Sequence, residues 1–116
     1  MVARQHGVRR LLEAGVRIMD PSHCYVGPRV KVGEGTVLLP GTILRGETII
    51  GRDCEVGPNA MVRDCIVGKD TTINASQVNE STIGSHTTVG PFTYVRPNCR
   101  IGDHCRVGDF VEVKNS

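Results

Sequence analysis

The sequence predicts an all-β rod, a parallel β-helix built from hexapeptide units with three flat faces to a coil and about five coils in all. Three observations predict it. Aliphatic residues recur at Val26, Val32, Leu38, Leu44, Ile50, Val56, Val62, Val67, Ile73, Val78, Ile83, Val89, Val95, Ile101, Val107 and Val113. The interval is six residues everywhere except after Val62, Ile73 and Val78, where it is five. Two positions before each aliphatic stands a small or β-branched residue, among them Cys24, Thr36, Ala60, Ser76 and Cys105. Side chains alternate across a strand, so these two positions face the same way and the residue between them faces the other. Corners follow: Gly succeeds most of the aliphatics, and Pro28, Pro40, Pro58, Pro91 and Pro97 come one place later.

Composition agrees with a narrow prism. A chain of 116 residues supports one domain, and with no Trp its aromatics are Tyr25, Phe92, Tyr94 and Phe110. That is little for a conventional core or for stacking on nucleic-acid bases, but one aliphatic and one small residue per strand need no large ring. At ~4.8 Å per strand the rod is roughly 24 Å tall. A net charge of +2 gives no basic field for a polyanion, so no nucleic-acid partner is expected. No apolar run approaches the ~20 residues of a membrane helix and no signal-peptide pattern is present, so the expectation is a cytoplasmic protein with no membrane partner. All five cysteines fall on the small interior position, where a thiol acts as a compact hydrophobe, which fits a reducing compartment.

The leader is different. Residues 1–15, with Val8, Leu11 and Leu12 on one side and Arg4, Arg9 and Arg10 elsewhere, predict a short amphipathic α-helix ending at Gly15. The expected division is a linker helix or cap over 1–17 and the repeat rod over 18–116.

Counting units in threes sorts the corners into vertical stacks. One is Gly33, Gly51, Gly68, Gly84 and Gly102; a second is Leu39, Gly57, Asn74, Gly90 and Gly108; the third is Gly27, Arg45, Arg63, Asn79, Arg96 and Lys114. If a corner turns through φ > 0, Gly or Asn belongs there, and the long cations of the third stack need another reason. Arg96 and Lys114 are one coil apart, about 5 Å stem to stem, and repel unless an anion lies between them. Two readings stay open: a phosphate-bearing ligand, for which Arg supplies a fork and Lys a point charge, or a solvated cationic edge. Arg45 and Arg63 are read as solvated edge.

On the same face the outward residues run Tyr25, Ile43, Met61, Gln77, Tyr94 and Glu112. Exposed apolar stripes mark contact with a partner, so this face is expected against another subunit, with the Arg96/Lys114 corner at the seam. His86 and His104 should stack on one edge as exposed turn residues. A zinc site wants three protein ligands, and no third is in view, so no metal is expected.

Gly15 to Pro21, the hexads with short units in the middle, then Gly90-Pro91-Phe92-Thr93-Tyr94-Val95-Arg96-Pro97 and Gly108-Asp109-Phe110-Val111-Glu112-Val113-Lys114-Asn115-Ser116 resemble the C-terminal half of the bacterial bifunctional N-acetylglucosamine-1-phosphate uridyltransferase / glucosamine-1-phosphate acetyltransferase. The resemblance spans residues 8–116, and the two last segments are its specific part. It implies a left-handed β-helix, a homotrimer, and acetyl transfer from acetyl-CoA to glucosamine 1-phosphate on the way to UDP-N-acetylglucosamine for the cell wall. It also makes Arg96 and Lys114 the residues that bind the sugar phosphate, which favours the anion reading. Asp109 stands where the family pattern has Asn, placing a negative charge near that site.

The family's general base is a His beyond the Lys-Asn-Ser segment, followed by the residues that bind acetyl-CoA; its Mg2+ belongs to the uridyltransferase domain. None of the four histidines here has that context, so the expectation is an internal piece of a longer enzyme, without a catalytic residue of its own and inactive alone. The alternative is a noncatalytic trimeric hexapeptide scaffold.

Overall fold

The computed structural model describes residues 11–108 and the backbone of Glu112 and Val113. Residues 1–10 and Lys114 lie outside the described residues. The strands are two or three residues long: β1 (Arg17–Ile18), β2 (Tyr25–Val26), β3 (Lys31–Val32), β4 (Val37–Leu38), β5 (Ile43–Arg45), β6 (Ile49–Ile50), β7 (Glu55–Val56), β8 (Met61–Arg63), β9 (Ile66–Val67), β10 (Thr72–Ile73), β11 (Gln77–Asn79), β12 (Thr82–Ile83), β13 (Thr88–Val89), β14 (Tyr94–Val95), β15 (Arg100–Ile101), β16 (Arg106–Val107) and β17 (Glu112–Val113). They form three parallel sheets. The first face is β1-β4-β7-β10-β13-β16, the second β2-β5-β8-β11-β14-β17, and the third β3-β6-β9-β12-β15. The fold is a parallel β-solenoid of hexapeptide units, measuring 38 × 22 × 21 Å.

Vertical registration is kept throughout. On the second face Val26 pairs with Leu44, Leu44 with Val62, Val62 with Val78, Val78 with Val95 and Val95 with Val113. Two of these coils are shortened, yet no rung slips. The hexad pattern also begins one strand earlier than its regular spacing shows: Ile18 pairs with Leu38, twenty residues on. A 3-10 turn at Pro21–His23 separates it from β2 and hides it from a six-residue search.

Leu38, Leu44, Val56, Val62, Ile73, Val78, Val89 and Val95 are fully buried, as are the small partners Cys24, Thr42, Thr48, Cys65 and Thr71. The threonines do more than fill space. Thr36 Oγ1 donates to the Gly51 carbonyl (2.8 Å) and accepts from the Cys54 N–H (3.1 Å), both in the next coil. Thr87 Oγ1 repeats this with the Gly102 carbonyl (2.7 Å) and the Cys105 N–H (3.3 Å). Corner carbonyls and amides outside the sheet ladder are thereby satisfied. Among the described residues no buried side-chain polar atom lacks a partner.

The corners differ from the sequence expectation. Left-handed φ falls directly after the aliphatic, as expected, at Gly57 and Gly90, but elsewhere it comes two or three residues after, at Gly35, Asp53, Asp70, His86 and His104 on one edge and at Gly41, Asn59, Ala75 and Phe92 on another. The five-residue units shed one corner residue, so Asp64, Ala75 and Glu80 turn at the second place after the aliphatic. The invariant stack Gly33, Gly51, Gly68 and Gly84 has no positive φ; it is glycine because the next coil lies too close. A Cβ on Gly33 would stand 2.5 Å from the Arg52 nitrogen, and one on Gly51 2.7 Å from the Lys69 nitrogen. Arg45, Arg63 and Asn79 are simply third residues of their strands. None of the three has a positive φ, so a long side chain there carries no backbone strain.

At the N-terminal side, residues 11–13 are helical and the turn closes at Gly15, φ +89. Val16 N–H donates to Leu11 O and Gly15 N–H to Leu12 O, the paired bonds of a glycine-terminated helix end. Leu11 and Val16 are buried against the first coil, but Leu12 is exposed, because consecutive helical residues do not share a face.

Cys24, Cys54, Cys65 and Cys99 are buried, whereas Cys105, on the same register position, is exposed. Among the described residues no coil lies beyond it. Burial pushes the Cys54 and Cys65 thiols up, which lowers their thiolate population at neutral pH. Among these five, Cys105 is expected to react first with a thiol reagent at pH 8 and Cys54 and Cys65 only on unfolding. A Cys105→Ser chain that keeps the fast phase would contradict this.

Candidate anion-binding edge

The second face leads into the third through the corner that carries Arg45, Arg63, Asn79 and Arg96. Arg45 sits opposite Arg63 and Arg63 opposite Asn79. Arg63 does not stand as a free cation: its Nη1 lies 3.3 Å from Glu80 Oε1 and 3.7 Å from Asp64 Oδ2, and its Nε donates to Asn79 Oδ1 (3.4 Å). These half-exposed pairs contribute little stability, but they match the charge inside the chain. Solvated edge was therefore too simple a reading for Arg63, and the acids that answer it, Asp64 and Glu80, come one residue after Arg63 and Asn79 in the sequence.

Arg96 follows β14 and is exposed. Its carbonyl accepts from Ser81 Oγ (2.8 Å), and the preceding carbonyl, of Val95, accepts from Asn79 Nδ2 (3.4 Å). Val95 is paired with Val113, the residue before Lys114. The vertical alignment expected of the Arg96/Lys114 pair thus holds for the residues that precede both, while Lys114 itself lies outside the described residues. Within the Gly90–Pro97 segment, Thr93 and Val95 point inward and Tyr94 outward, with Phe92 exposed at the neighbouring corner. Gly90, φ +101, fits beneath the Asn74 carbonyl, where a Cβ would collide.

The apolar stripe on the second face is present: Tyr25, Ile43 and Tyr94 are each nearly two-fifths exposed. A second patch went unnoticed in the sequence. Ile49 and Ile66 are opposite one another on the third face and exposed; listing the outward residue on every face would have found them. Apolar side chains therefore flank the cationic edge on both sides.

The edge between the third and first faces carries Asp53, Asp70, His86 and His104. The two imidazoles stack with centroids 4.9 Å apart and planes 4° from parallel, and His86 Nδ1 is 3.7 Å from Asp70 Oδ2. The stacking expected from their eighteen-residue spacing is found. Among the described residues no three His, Cys, Asp or Glu side chains converge as metal ligands.

The strand pairing and unit length define the chain as a hexapeptide-repeat β-solenoid, and the family described as bacterial transferase hexapeptide (six repeats) matches residues 80–115. Nearly the whole chain is similar to bifunctional GlmU proteins. It is 44% identical over 115 residues to that of Geobacillus sp. (strain WCH70), covering 99% of this chain and 25% of the relative. It is 45% identical over 115 residues to that of Alkaliphilus metalliredigens (strain QYMF), with the same coverage. The resemblance read from the Gly90–Pro97 and Gly108–Ser116 segments is thereby established, and the chain spans about a quarter of the length of these relatives. Among solved structures, a mutant GDP-perosamine N-acetyltransferase from Caulobacter crescentus, in complex with CoA and GDP-perosamine, superposes with a TM-score of 0.81 at 23% identity, over 97% of this chain and 56% of that one. That likeness is one of fold. Among the described residues no helix is long and apolar enough to cross a membrane.

Proposed function

We propose that this chain forms the sugar-phosphate-binding start of an acetyltransferase site, in which Arg96 and Lys114 hold the phosphate of glucosamine 1-phosphate. Acetyl-CoA is the co-substrate, bound by residues outside this chain. The observation that carries the proposal is the Val95–Val113 pairing within a sequence 44% identical to a bifunctional GlmU. It supports two cations on successive rungs, a spacing that suits a phosphate held by a guanidinium fork and an ammonium. Acetyl transfer to an amine also needs a base for the amine proton. Among the described residues His23, His86 and His104 stand on other edges, so on this reading the chain contributes phosphate binding rather than that base, and by itself does not turn over.

The assembly we infer is a homotrimer with a left-handed coil. Apolar residues on two adjoining faces, Tyr25, Ile43 and Tyr94 on one and Ile49 and Ile66 on the other, support an interface in which one face of a protomer meets a different face of the next, the arrangement that closes a ring. Its natural setting would be a cytoplasmic enzyme of UDP-N-acetylglucosamine synthesis.

Calorimetric titration of the 116-residue chain with glucosamine 1-phosphate tests the site. Arg96→Ala is expected to weaken binding about tenfold to a hundredfold, the range for a hydrogen-bonded charged group, with Lys114→Ala in the same direction. No heat from the wild type at millimolar ligand, or no loss in Arg96→Ala, would overturn the site. One observation favours the alternative, a noncatalytic scaffold: Arg63, on the same edge, has its charge matched by Glu80 and Asp64.

A further inference from the structure

The cationic edge contains one neutral, buried side chain. Asn79 is only 3% exposed, although its rung neighbours on that edge are arginines. Its amide is used at both ends. Oδ1 accepts from Arg63 Nε in the coil before (3.4 Å), and Nδ2 donates to the carbonyl of Val95 in the coil after (3.4 Å). The Val95 carbonyl belongs to the peptide whose nitrogen is that of Arg96. On the other side of Arg96, its own carbonyl accepts from Ser81 Oγ (2.8 Å), and the same Ser81 oxygen accepts from the Cys99 N–H (3.2 Å). Both peptide units that flank the Arg96 Cα are thus tied to the β11–β12 corner. That fixes the direction in which the Cα–Cβ bond of Arg96 leaves the rod, and so the base from which its guanidinium reaches.

We propose that Asn79 is a positioning residue for anion binding at Arg96, oriented by Arg63 and assisted by Ser81. This inference rests on the reading of Arg96 as a phosphate-binding residue. Geometry explains why an amide is needed: a carboxylate has no donor for the Val95 carbonyl, and an aliphatic side chain has neither donor nor acceptor. A third cation between Arg63 and Arg96 would repel both. The chain Arg63–Asn79–Val95 also gives Arg63 a task besides its ion pairs, since it selects which end of the Asn79 amide faces the later coil.

The test compares ligand affinity with fold integrity in the same chain. Asn79→Leu, which keeps the approximate volume, is expected to bind glucosamine 1-phosphate about fivefold more weakly by calorimetry, the scale of one hydrogen bond. The Arg96 Nε–Hε resonance of the ligand-free variant should show greater mobility than in the wild type, a signature that loss of stability alone would not produce well below the unfolding temperature. Arg63→Met, at the half-exposed outer end of the chain of contacts, is expected to give a smaller weakening, about twofold. Should Asn79→Leu fail to fold, Arg63→Met and Ser81→Ala carry the same comparison. If Arg96→Ala loses binding while the Asn79, Arg63 and Ser81 variants bind like the wild type, the positioning role is overturned and the anion site stands. If the wild type gives no heat, the anion site is overturned and the positioning role with it.

Discussion

Gly33→Ala is expected to destabilise the rod by about 3 kcal/mol, or to prevent folding, although the substitution adds one methyl group and raises no φ objection. The new Cβ would stand 2.5 Å from the Arg52 nitrogen, 2.7 Å from the Arg52 Cα and 2.7 Å from the Gly51 carbonyl carbon. All three are backbone atoms of the coil above, and they cannot rotate aside as a side chain can. Relief requires opening the spacing between coils, and that spacing is fixed by Lys31 N–H to Thr48 O (2.9 Å) and Gly33 N–H to Ile50 O (2.9 Å). Gly102→Ala is the control on the same edge: its Cβ would meet nothing nearer than Cys105 Sγ at 3.7 Å, an ordinary contact. Urea denaturation of the two variants decides it. Equal midpoints would show that the coils separate more readily than the backbone contacts require.

Thr36→Val should cost about 2–3 kcal/mol, an isosteric change that leaves the cavity filled. The loss comes from two groups at once: the Gly51 carbonyl loses its donor and the Cys54 N–H its acceptor. The Cys54 N–H is buried where water cannot replace the hydroxyl, and the Gly51 carbonyl is partly buried, so the first pays a full desolvation penalty without a partner and the second part of one. Thr88→Val, on the outward position of β13, removes a hydroxyl of the same kind from a partly exposed site and is expected to change stability by less than about 0.5 kcal/mol. A Thr36 variant that melts with the wild type would mean that the interior threonines are present only for their size.

How much of this was legible in the sequence follows from what each residue obeys. The aliphatic ladder was, because one rule, alternation plus a fixed corner, acts on every coil; Leu44, Val62 and Val78 align although their spacing changes. Ile18 was not, since the Pro21–His23 turn breaks the count. The glycine stack was found but assigned the wrong cause: sequence shows that a side chain is forbidden at Gly33, and only coordinates show that the objection is a neighbouring backbone rather than the dihedral angle. Arg96 was singled out from its rung, while Asn79 was passed over because it looked like an ordinary corner residue. Nothing in sequence spacing reveals that its amide spans three coils. Thr36 was read as filler, since the hydroxyl's partners lie fifteen and eighteen residues ahead.

The rungs hold their alignment through coils of unequal length because every change is absorbed where the backbone turns. Tension applied between the two ends would load the ladder bonds along their own direction, one storey at a time. Such a molecule should unravel under force in a staircase, each step paying out a single coil of slack, rather than yielding as one cooperative block.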